Sequence, residues 1–373
     1  MERFDVVVVG VGGMGSAALY HLARRGKRVL GLERFDVPNE MGSSHGITRI
    51  IRLAHFEHPS YVPLVRRAYE LWRELEVEAS EQLLHVTGAV DAGGELYAGS
   101  LRSCLDFDLP HELMDGRELG RRYPAYRLPD DLPVLLQPDG GFLLPERCVV
   151  AHVEAAATCG AVVRTGERVL AWNDTGDRVV VRTDRNTVEA GHLVLTAGAW
   201  SQEVARLPPG LVAAERQVLG WFEPLRPELF SLGRFPVFNL VLEDEHVYGF
   251  PIFGVPGFKV GRYHHEGERA ADPDLLSRDP TREDEDALRP LVERCFPAGA
   301  GRTLMLKTCP FEPSPDDDFI LDHHPESQRT VVAAGFSGRG FKFCSVVGEI
   351  LADLALEGDT RHDIGFLRLS RFA

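Results

Sequence analysis

The hydrophobic pattern at the start of the chain changes from a β-type to an α-type period. Residues 5–9 read DVVVV, a short run typical of a strand buried on both faces of a parallel sheet. Apolar positions then recur at helical spacing until Gly26, which stands where a left-handed C-terminal cap is expected. Residues 29–32 indicate a second strand, and Glu33 stands at its end. The pattern therefore predicts a β-turn-α-β unit.

Further along, stretches of different pattern alternate. An apolar stripe predicts an amphipathic helix over 61–81, whereas 82–142 is broken by Gly and Pro and lacks strong periodicity. Residues 217–263 are rich in Val, Phe, Tyr and Gly with hairpin-like breaks, which indicates an antiparallel sheet. Pro290 is expected to bend or interrupt one helix. The other predicted elements are helices at 150–159, 281–295 and 346–354, and strands at 161–164, 179–183, 192–195 and 330–334.

Composition narrows the class of protein. The 373 residues are 44% hydrophobic and 26% charged, which is typical of a globular protein of about two domains. A net charge of -15 with no basic patch argues against nucleic-acid binding. The early apolar run is too short for a signal peptide or a membrane span. The six scattered cysteines suit reduced thiols in the cytoplasm, and the adjacent histidines at 264–265 and 323–324 lack metal-ligand spacing.

A glycine-rich turn follows the first predicted strand. Gly10, Gly12 and Gly15 give the spacing of a dinucleotide-binding turn, and Glu33 is the acidic residue expected at the end of the next strand. Such a turn offers free N–H groups at a helix N-terminus to a pyrophosphate, and the acid accepts hydrogen bonds from ribose hydroxyls. A carboxylate there disfavours NADP. On this evidence FAD and NAD are equally compatible.

Two further motifs carry a family resemblance. GSSHGITRIIR at 42–52 and GFSGRGFKF at 335–343, together with the N-terminal glycine turn, resemble the monomeric sarcosine oxidase family, which includes N-methyltryptophan oxidase. YGFP at 248–251 and TCP at 308–310 support the resemblance, which extends nearly end to end. It implies an α/β fold of the glycine/D-amino-acid oxidase type: a Rossmann-type FAD-binding domain with a second, mostly antiparallel-sheet substrate domain.

The resemblance also implies a domain division and a covalent cofactor. The FAD-binding domain is expected from 1–81, 143–216 and 317–373, and the substrate domain from 82–142 and 217–316. The family has a thioether between the flavin and a cysteine that matches Cys309, while Cys344 is the rival thiol. The cofactor-binding residues so predicted are Gly10, Gly12, Gly15, Glu33, Ser44, His45, Thr48, Cys309, Gly338, Gly340 and Lys342.

Five residues match the family's catalytic positions. By resemblance, Arg52 and Lys342 hold the substrate carboxylate, and Arg49 lies against the flavin ring. A guanidinium suits a carboxylate because it donates two parallel hydrogen bonds. Tyr248 matches a pocket residue that can orient the amine, and Lys259 matches the lysine that promotes reduction of oxygen. Without the motif, two arginines three residues apart are more typical of a solvated surface.

One position departs from the family pattern. The pocket histidine expected four residues after Lys259 is replaced by Tyr263, with His264 and His265 next along the chain. This departure affects the outer wall of the pocket and therefore the choice of substrate.

The resemblance implies an FAD-dependent oxidase. Its expected substrate is sarcosine or a related secondary N-methyl amino acid, which would give the demethylated amine, formaldehyde and hydrogen peroxide. Oxidation of L-proline, L-pipecolate or N-methyltryptophan is the alternative, as is a flavin dehydrogenase with a protein acceptor. The glycine turn alone also permits an NAD-linked dehydrogenase or a nucleotide-dependent sensor. The expected partners are a small amino acid and oxygen, with no nucleic acid, membrane or metal, and the chain is expected to be a monomer.

Overall fold

The computed structural model describes residues 1–243, 245–265, 267–270 and 272–372. Asp244, Glu266, Ala271 and Ala373, which fall in the predicted segments 217–316 and 317–373, lie outside the described residues. The α-helices of the described part are α1 Gly13–Arg24, α2 Tyr61–Ala79, α3 Gly94–Asp106, α4 Gly116–Arg122, α5 Pro145–Thr158, α6 Ser201–Val204, α7 Arg282–Cys295 and α8 Cys344–Glu357.

The strands of the described part belong to three sheets. They are β1 Glu2–Val9, β2 Val29–Leu32, β3 Arg49–Ile51, β4 Leu84–Val86, β5 Ala89–Ala92, β6 Glu112–Asp115, β7 Pro133–Gln137, β8 Gly141–Leu143, β9 Val162–Arg164, β10 Val169–Asp174, β11 Val179–Thr183, β12 Thr187–Leu195, β13 Ala214–Phe222, β14 Val237–Leu242, β15 Glu245–Phe250, β16 Phe258–Arg262, β17 Arg269–Ala270, β18 Thr303–Phe311, β19 Ile320–His324 and β20 Ser327–Ala334.

The first sheet has a parallel centre. Its order is β9-β2-β1-β12-β20-β19, with β9, β2, β1, β12 and β20 parallel and the β10–β11 hairpin paired to the first half of β12. Val6 and Val8 pack in a core with α1, α2, α5 and α8, and Val7 packs in a second core on the opposite face. The apolar run is therefore buried on both sides, as its lack of alternation predicts.

Parallel pairing brings four strand ends to one edge of this sheet. β1, β2, β12 and β20 run in the same direction, so the residues that follow them lie side by side. These residues are Gly10, Glu33, Thr196 and Gly335. In open α/β sheets ligands bind outside the carboxyl ends of the strands, so this edge is where a cofactor site is expected.

The second sheet is mostly antiparallel, as predicted. Its order is β17-β13-β16-β15-β14-β5-β7-β6, with β18 also paired to β13, and only the β5–β14 contact is parallel among the described strands. A cluster of phenylalanines, which includes Phe235, Phe238 and Phe258, fills the core between this sheet and α7. A third, small sheet of β3, β8 and β4 lies between segments of the two predicted domains. The domain division itself stays a prediction.

Two segments with weak or interrupted patterns are now defined. Residues 82–142, which lack strong periodicity in the sequence, contain α3, α4 and β4–β8. Pro290 does not interrupt α7. The carbonyl left without a donor is that of Asp286, and both residues are exposed, so that carbonyl lies on the solvent side of the helix. The amino end of α7 is fixed by a reciprocal capping box between Thr281 and Asp284.

Candidate cofactor and substrate site

The glycine turn packs tightly against Thr196, the residue that follows β12. Gly10 has a φ of +88°, and a Cβ there would lie 2.4 Å from the Thr196 carbonyl oxygen. A Cβ on Gly15 would lie 1.8 Å from the Gly10 carbonyl oxygen. A Cβ on Gly12, in contrast, would meet nothing nearer than Ser44 Oγ at 3.5 Å. Two glycines are therefore required by the turn itself, whereas Gly12 leaves open space at the start of α1 where a pyrophosphate fits.

Glu33 is held at the end of β2 by the backbone of the turn. Its carboxylate accepts hydrogen bonds from the N–H groups of Val11, at 2.8 Å, and Phe35, at 3.0 Å. Burial raises the pKa of Glu33, and those N–H groups oppose the shift. The carboxylate is thus fixed at the cleft edge, where ribose hydroxyls can reach it.

A long cleft follows the strand ends. It encloses about 1480 Å³ when its open mouth is included. Such a cleft, with glycines and a helix N-terminus along its wall, suits an extended dinucleotide. Its lining residues include Glu33, Phe35 and Trp200 beside the acidic end, Gly12, Ser44 and Cys344 at the start of α1, and Arg49, Phe311, Gly338 and Gly340.

Segment 42–52 forms one wall of the cleft. The Gly13 N–H donates to Ser44 Oγ at 3.0 Å, which ties this segment to the start of α1. The N–H groups of Gly46 and Ile47 both donate to Glu146 Oε1, at 2.6 and 3.0 Å. These contacts fix a turn in which Ile47 has a φ of 72°, an uncommon value for a branched residue. Glu146 lies in α5, and no motif pointed to it.

Arg49 lines the cleft and contacts Cys309. The Arg49 guanidinium donates to the Ser43 carbonyl at 2.8 Å and lies 3.5 Å from Cys309 Sγ. Burial raises the pKa of the Cys309 thiol, while the positive charges of Arg49 and Lys259 oppose the shift. Cys344 is elsewhere: its Sγ would lie 2.5 Å from a Cβ on Gly13, at the start of α1. The two candidate thiols are thus in different places: Cys344 lines the cleft at the start of α1, and Cys309 lies behind Arg49, which lines it.

His45 has two unsatisfied nitrogen atoms. Its ring is buried, and neither Nδ1 nor Nε2 has a hydrogen-bond partner among the described residues. Burial lowers its pKa to about 3, and the charge of Arg49 adds to the effect, so the ring is neutral. Buried polar atoms normally have a partner, so these nitrogens fit a ligand group or an ordered water.

Lys259 lies beneath segment 42–52. It is 1% exposed, and its Nζ contacts the carbonyl oxygens of Gly46 and Thr48, both at 2.8 Å, and Thr48 Oγ1 at 3.2 Å. Burial lowers the pKa of Lys259 well below its ordinary value, and Arg49 adds to the effect. The three oxygens accommodate either protonation state, because a neutral amine can donate to both carbonyls and accept from the Thr48 hydroxyl.

Arg52 and Lys342 lie together in a charged pocket. Arg52 forms a buried ion pair with Asp91 at 3.2 Å and donates to the Ala54 carbonyl. The Lys342 Nζ donates to the Arg339 carbonyl at 2.9 Å. Burial lowers the pKa of Lys342 to about 7, and the nearby charge of Arg52 contributes.

A second ion pair in this pocket was not predicted. Arg339, inside the 335–343 motif, lies 2.5 Å from Glu57, and His55 Nδ1 lies 2.6 Å from the same carboxylate. These charges hold the pKa of Glu57 well below its ordinary value, whereas burial alone would raise it. The position of Arg339 within the glycine-rich motif was the available signal. Glu57 and Asp91 lie in no recognisable sequence motif, because only folding places each of them next to its arginine.

Aromatic side chains form the outer wall of the pocket. The Tyr263 ring stacks on His246 with centroids 4.2 Å apart, and its edge meets Tyr248 at 5.1 Å. Burial raises the pKa of Tyr263 to about 12, and Glu57 contributes. His264 points away to an ion pair with Glu215 at 2.7 Å.

The histidine nearest this wall is therefore His246, on β15, and not either histidine that follows Tyr263. His265 lies 2.9 Å from Asp284, at the amino end of α7. The described residues contain no cluster of three or more His, Cys, Asp or Glu side chains arranged for a metal ion. No helix within the described ranges is long and apolar enough to cross a membrane.

Comparison with known families gives a match over most of the chain. The family described as "FAD dependent oxidoreductase" matches residues 5–354. The matched range includes the glycine turn, segment 42–52, Cys309 and the 335–343 motif.

Similar proteins cover the whole length of the chain. It is 40% identical to the monomeric sarcosine oxidase of Streptomyces avermitilis, over 99% of this chain and 98% of that protein. It is 33% identical to the N-methyl-L-tryptophan oxidase of Yersinia pestis, over 99% of each. Among solved structures it is similar to NikD, described as an unusual amino acid oxidase essential for nikkomycin biosynthesis, with a TM-score of 0.86, 27% identity and coverage of 99% and 98%.

Proposed function

The chain belongs to the FAD-dependent oxidoreductase family, and on that premise we propose that it oxidises sarcosine or a related secondary N-methyl amino acid. The reaction takes up oxygen and water and gives the demethylated amine, formaldehyde and hydrogen peroxide. N-methyltryptophan, L-proline and L-pipecolate are alternative substrates of the same chemistry. A flavin dehydrogenase with a protein acceptor is the alternative for the electron acceptor.

The charges of the Arg52–Lys342 pocket are the observation that carries this proposal. Three cations, Arg52, Arg339 and Lys342, stand among the described pocket side chains against two carboxylates, Asp91 and Glu57. The arginines are paired, so the positive charge in excess is that of protonated Lys342. A pocket with one excess positive charge suits one substrate carboxylate.

The residues of the cleft fit FAD. The space at Gly12, the fixed carboxylate of Glu33 and the unsatisfied ring of His45 give, in order, places for the pyrophosphate, the ribose and a polar group of the flavin. We propose that Cys309 holds the ring covalently and that Arg49 lies against it. When bound, FAD accepts a hydride from the carbon next to the substrate nitrogen and delivers the electrons to oxygen.

The substrate amine reacts in its neutral form. An ammonium has no lone pair to support hydride loss, and both pocket carboxylates are held by arginines. We therefore assign no side-chain base. Tyr248 and Tyr263 provide an aromatic surface for the N-substituent, and the Tyr248 hydroxyl can orient the nitrogen. Because no side chain removes a proton from the amine, the pocket must favour the neutral amine in another way. The positive charge of Lys342 does so by repelling the ammonium form of the substrate.

Turnover under air tests the proposal. Purified protein given sarcosine without an added acceptor is expected to release formaldehyde and hydrogen peroxide in equal amounts. Peroxide with L-proline or L-pipecolate instead would transfer the activity to a cyclic amino acid. Substrate-dependent bleaching at 450 nm without oxygen uptake would indicate a dehydrogenase, and no bleaching by any of these amines would contradict the assignment.

Lys342 gives carboxylate binding a pH dependence. Below its pKa of about 7 the ammonium attracts a carboxylate, and above that pH it becomes neutral. The affinity for a simple carboxylate without an amine, such as propionate, is therefore expected to fall as pH rises through this value. Lys342→Met should weaken binding by about tenfold to a hundredfold at low pH and remove the dependence.

The measurement is the change in flavin absorption on titration with propionate. Lys342→Arg is the matched control, because its guanidinium stays charged and should keep the affinity constant across the range. Unchanged affinity in Lys342→Met would show that the carboxylate binds elsewhere.

We also propose that the protein is a monomer in the cytoplasm. The name of the Streptomyces relative includes the word monomeric. All six cysteines are unpaired, which suits a reducing compartment.

A further inference from the structure

A carboxyl group lies within the cleft wall and has no ionic partner in the described part of the chain. Glu312 follows the last residue of β18, is 4% exposed and lines the cleft together with Gly338 and Trp200. The Ser337 N–H donates to the Glu312 carbonyl at 3.1 Å, which fixes its backbone to the 335–343 motif. The side chain is therefore positioned by the motif, although no sequence pattern pointed to it.

One oxygen of this carboxyl group is unsatisfied. Glu312 Oε1 is buried and has no hydrogen-bond partner among the described residues. The groups that face the carboxyl are the Ser201 hydroxyl and the Gly335 N–H, and neither carries a charge. Burial raises the pKa of Glu312 to about 8, so at neutral pH the group is a carboxylic acid with an O–H to donate.

We propose that Glu312 binds FAD as a neutral carboxylic acid, donating its O–H to an oxygen atom of the cofactor. The inference rests on the proposed presence of FAD in the cleft. Glu312 Oε1 has no hydrogen-bond partner among the described residues, and an oxygen-rich ligand in the cleft supplies an acceptor for a proton on that atom. A carboxylate at the same place would repel the negatively charged pyrophosphate.

Proton binding and FAD binding are therefore coupled. FAD prefers the protonated form, so its affinity falls once the pH exceeds the value at which free Glu312 ionises. For one coupled proton the loss approaches tenfold per pH unit. The other titratable side chains that line the cleft are Glu33, Arg34, Arg49, Glu167, Arg168, Glu203 and Cys344.

The other titratable side chains of the cleft are the same in every variant. A substitution at Glu312 therefore isolates the contribution of Glu312 to the pH dependence of FAD binding. The dissociation constant of FAD is measured by flavin fluorescence in a Cys309→Ser background, where the cofactor exchanges freely. The Cys309→Ser parent is expected to lose about fivefold in affinity between pH 8 and pH 9, because the protonated fraction of Glu312 falls from about a half to about a tenth. Glu312→Gln, which has the same shape and cannot ionise, should bind FAD with little pH dependence in this range.

A matched control and a second variant complete the test. Glu326→Gln, an exposed position outside the cleft, should keep the parent's dependence on pH. Glu312→Ala should bind FAD more weakly than the parent at pH 7, where the parent's carboxyl group is protonated, and its thermal unfolding verifies that it folds. Equal slopes in the parent and Glu312→Gln would overturn this inference while leaving the proposed function intact. No FAD binding by the parent at any pH would instead contradict the proposed function.

Discussion

Replacing Cys309 by serine is expected to release the yellow cofactor when the protein is precipitated with acid. In the unsubstituted protein the colour should stay in the pellet, because a thioether survives denaturation. Serine keeps the size of the side chain but cannot form a thioether. The measurement is the flavin absorption of the supernatant and of the redissolved pellet, and the expected change is from nearly complete retention to nearly complete release.

The structure offers a sharp control for this result. Both thiols are buried, and Cys344 lines the cleft. Cys344 lies against Gly13 at the start of α1, whereas Cys309 lies 3.5 Å from Arg49. Cys344→Ser should therefore keep its colour in the pellet. Colour retained by Cys309→Ser and lost by Cys344→Ser would move the attachment to the other thiol. Colour released by the unsubstituted protein would exclude a covalent link.

Local sequence patterns were sufficient to predict the first strand, the glycine turn and the end of the first helix. The run at 5–9 is a strand buried on both faces because helices pack on one side and β-structure on the other. Gly26 has a φ of +73°, as a left-handed cap requires. Gly10 and Gly15 could be placed because their requirement is steric and local. In each case the signal and its cause lie within a few residues of one another.

The charged pocket depends on contacts between residues that are distant in sequence, so only part of it could be predicted. Arg52 was found through a motif, but its partner Asp91 lies on β5 in the second sheet. Glu57 is similarly matched to Arg339 across 282 residues of sequence. In the sequence alone, nothing distinguishes Asp91 or Glu57 from an acidic residue that is exposed to solvent. Only the folded chain distinguishes a buried partner from an exposed acid.

The surroundings of Tyr263, which stands where the family pattern has a histidine, also depend on a contact between residues that are distant in sequence. In the sequence, the histidines nearest to Tyr263 are His264 and His265. In a strand, successive side chains point to opposite faces, and neighbours across strands are nearer than neighbours in sequence. His246 lies on the adjacent strand β15 and stacks on the Tyr263 ring at 4.2 Å. The histidine beside Tyr263 therefore comes from a different strand and could not be identified from neighbouring positions in the sequence.

Replacing Lys259 by methionine is expected to slow the reaction with oxygen by about a hundredfold or more, while reduction by substrate changes little. The amine is buried and its pKa is depressed in the free site. Negative charge that arrives with the substrate's electrons favours the ammonium, so Lys259 can take up a proton and hold positive charge where oxygen is reduced. Methionine keeps the length of the side chain but can neither bind a proton nor donate.

Two half-reactions separate this role from a structural one. Lys259 also contacts the carbonyls of Gly46 and Thr48, so its loss could loosen segment 42–52. A loosened segment would disturb Arg49 and Arg52 and would slow anaerobic reduction by substrate as well. Stopped-flow measurement of each half-reaction therefore distinguishes the two, with Lys307→Met, a lysine ion-paired to Glu40 outside the pocket, as the control. Equal slowing of both half-reactions would mean that Lys259 serves the loop and not oxygen.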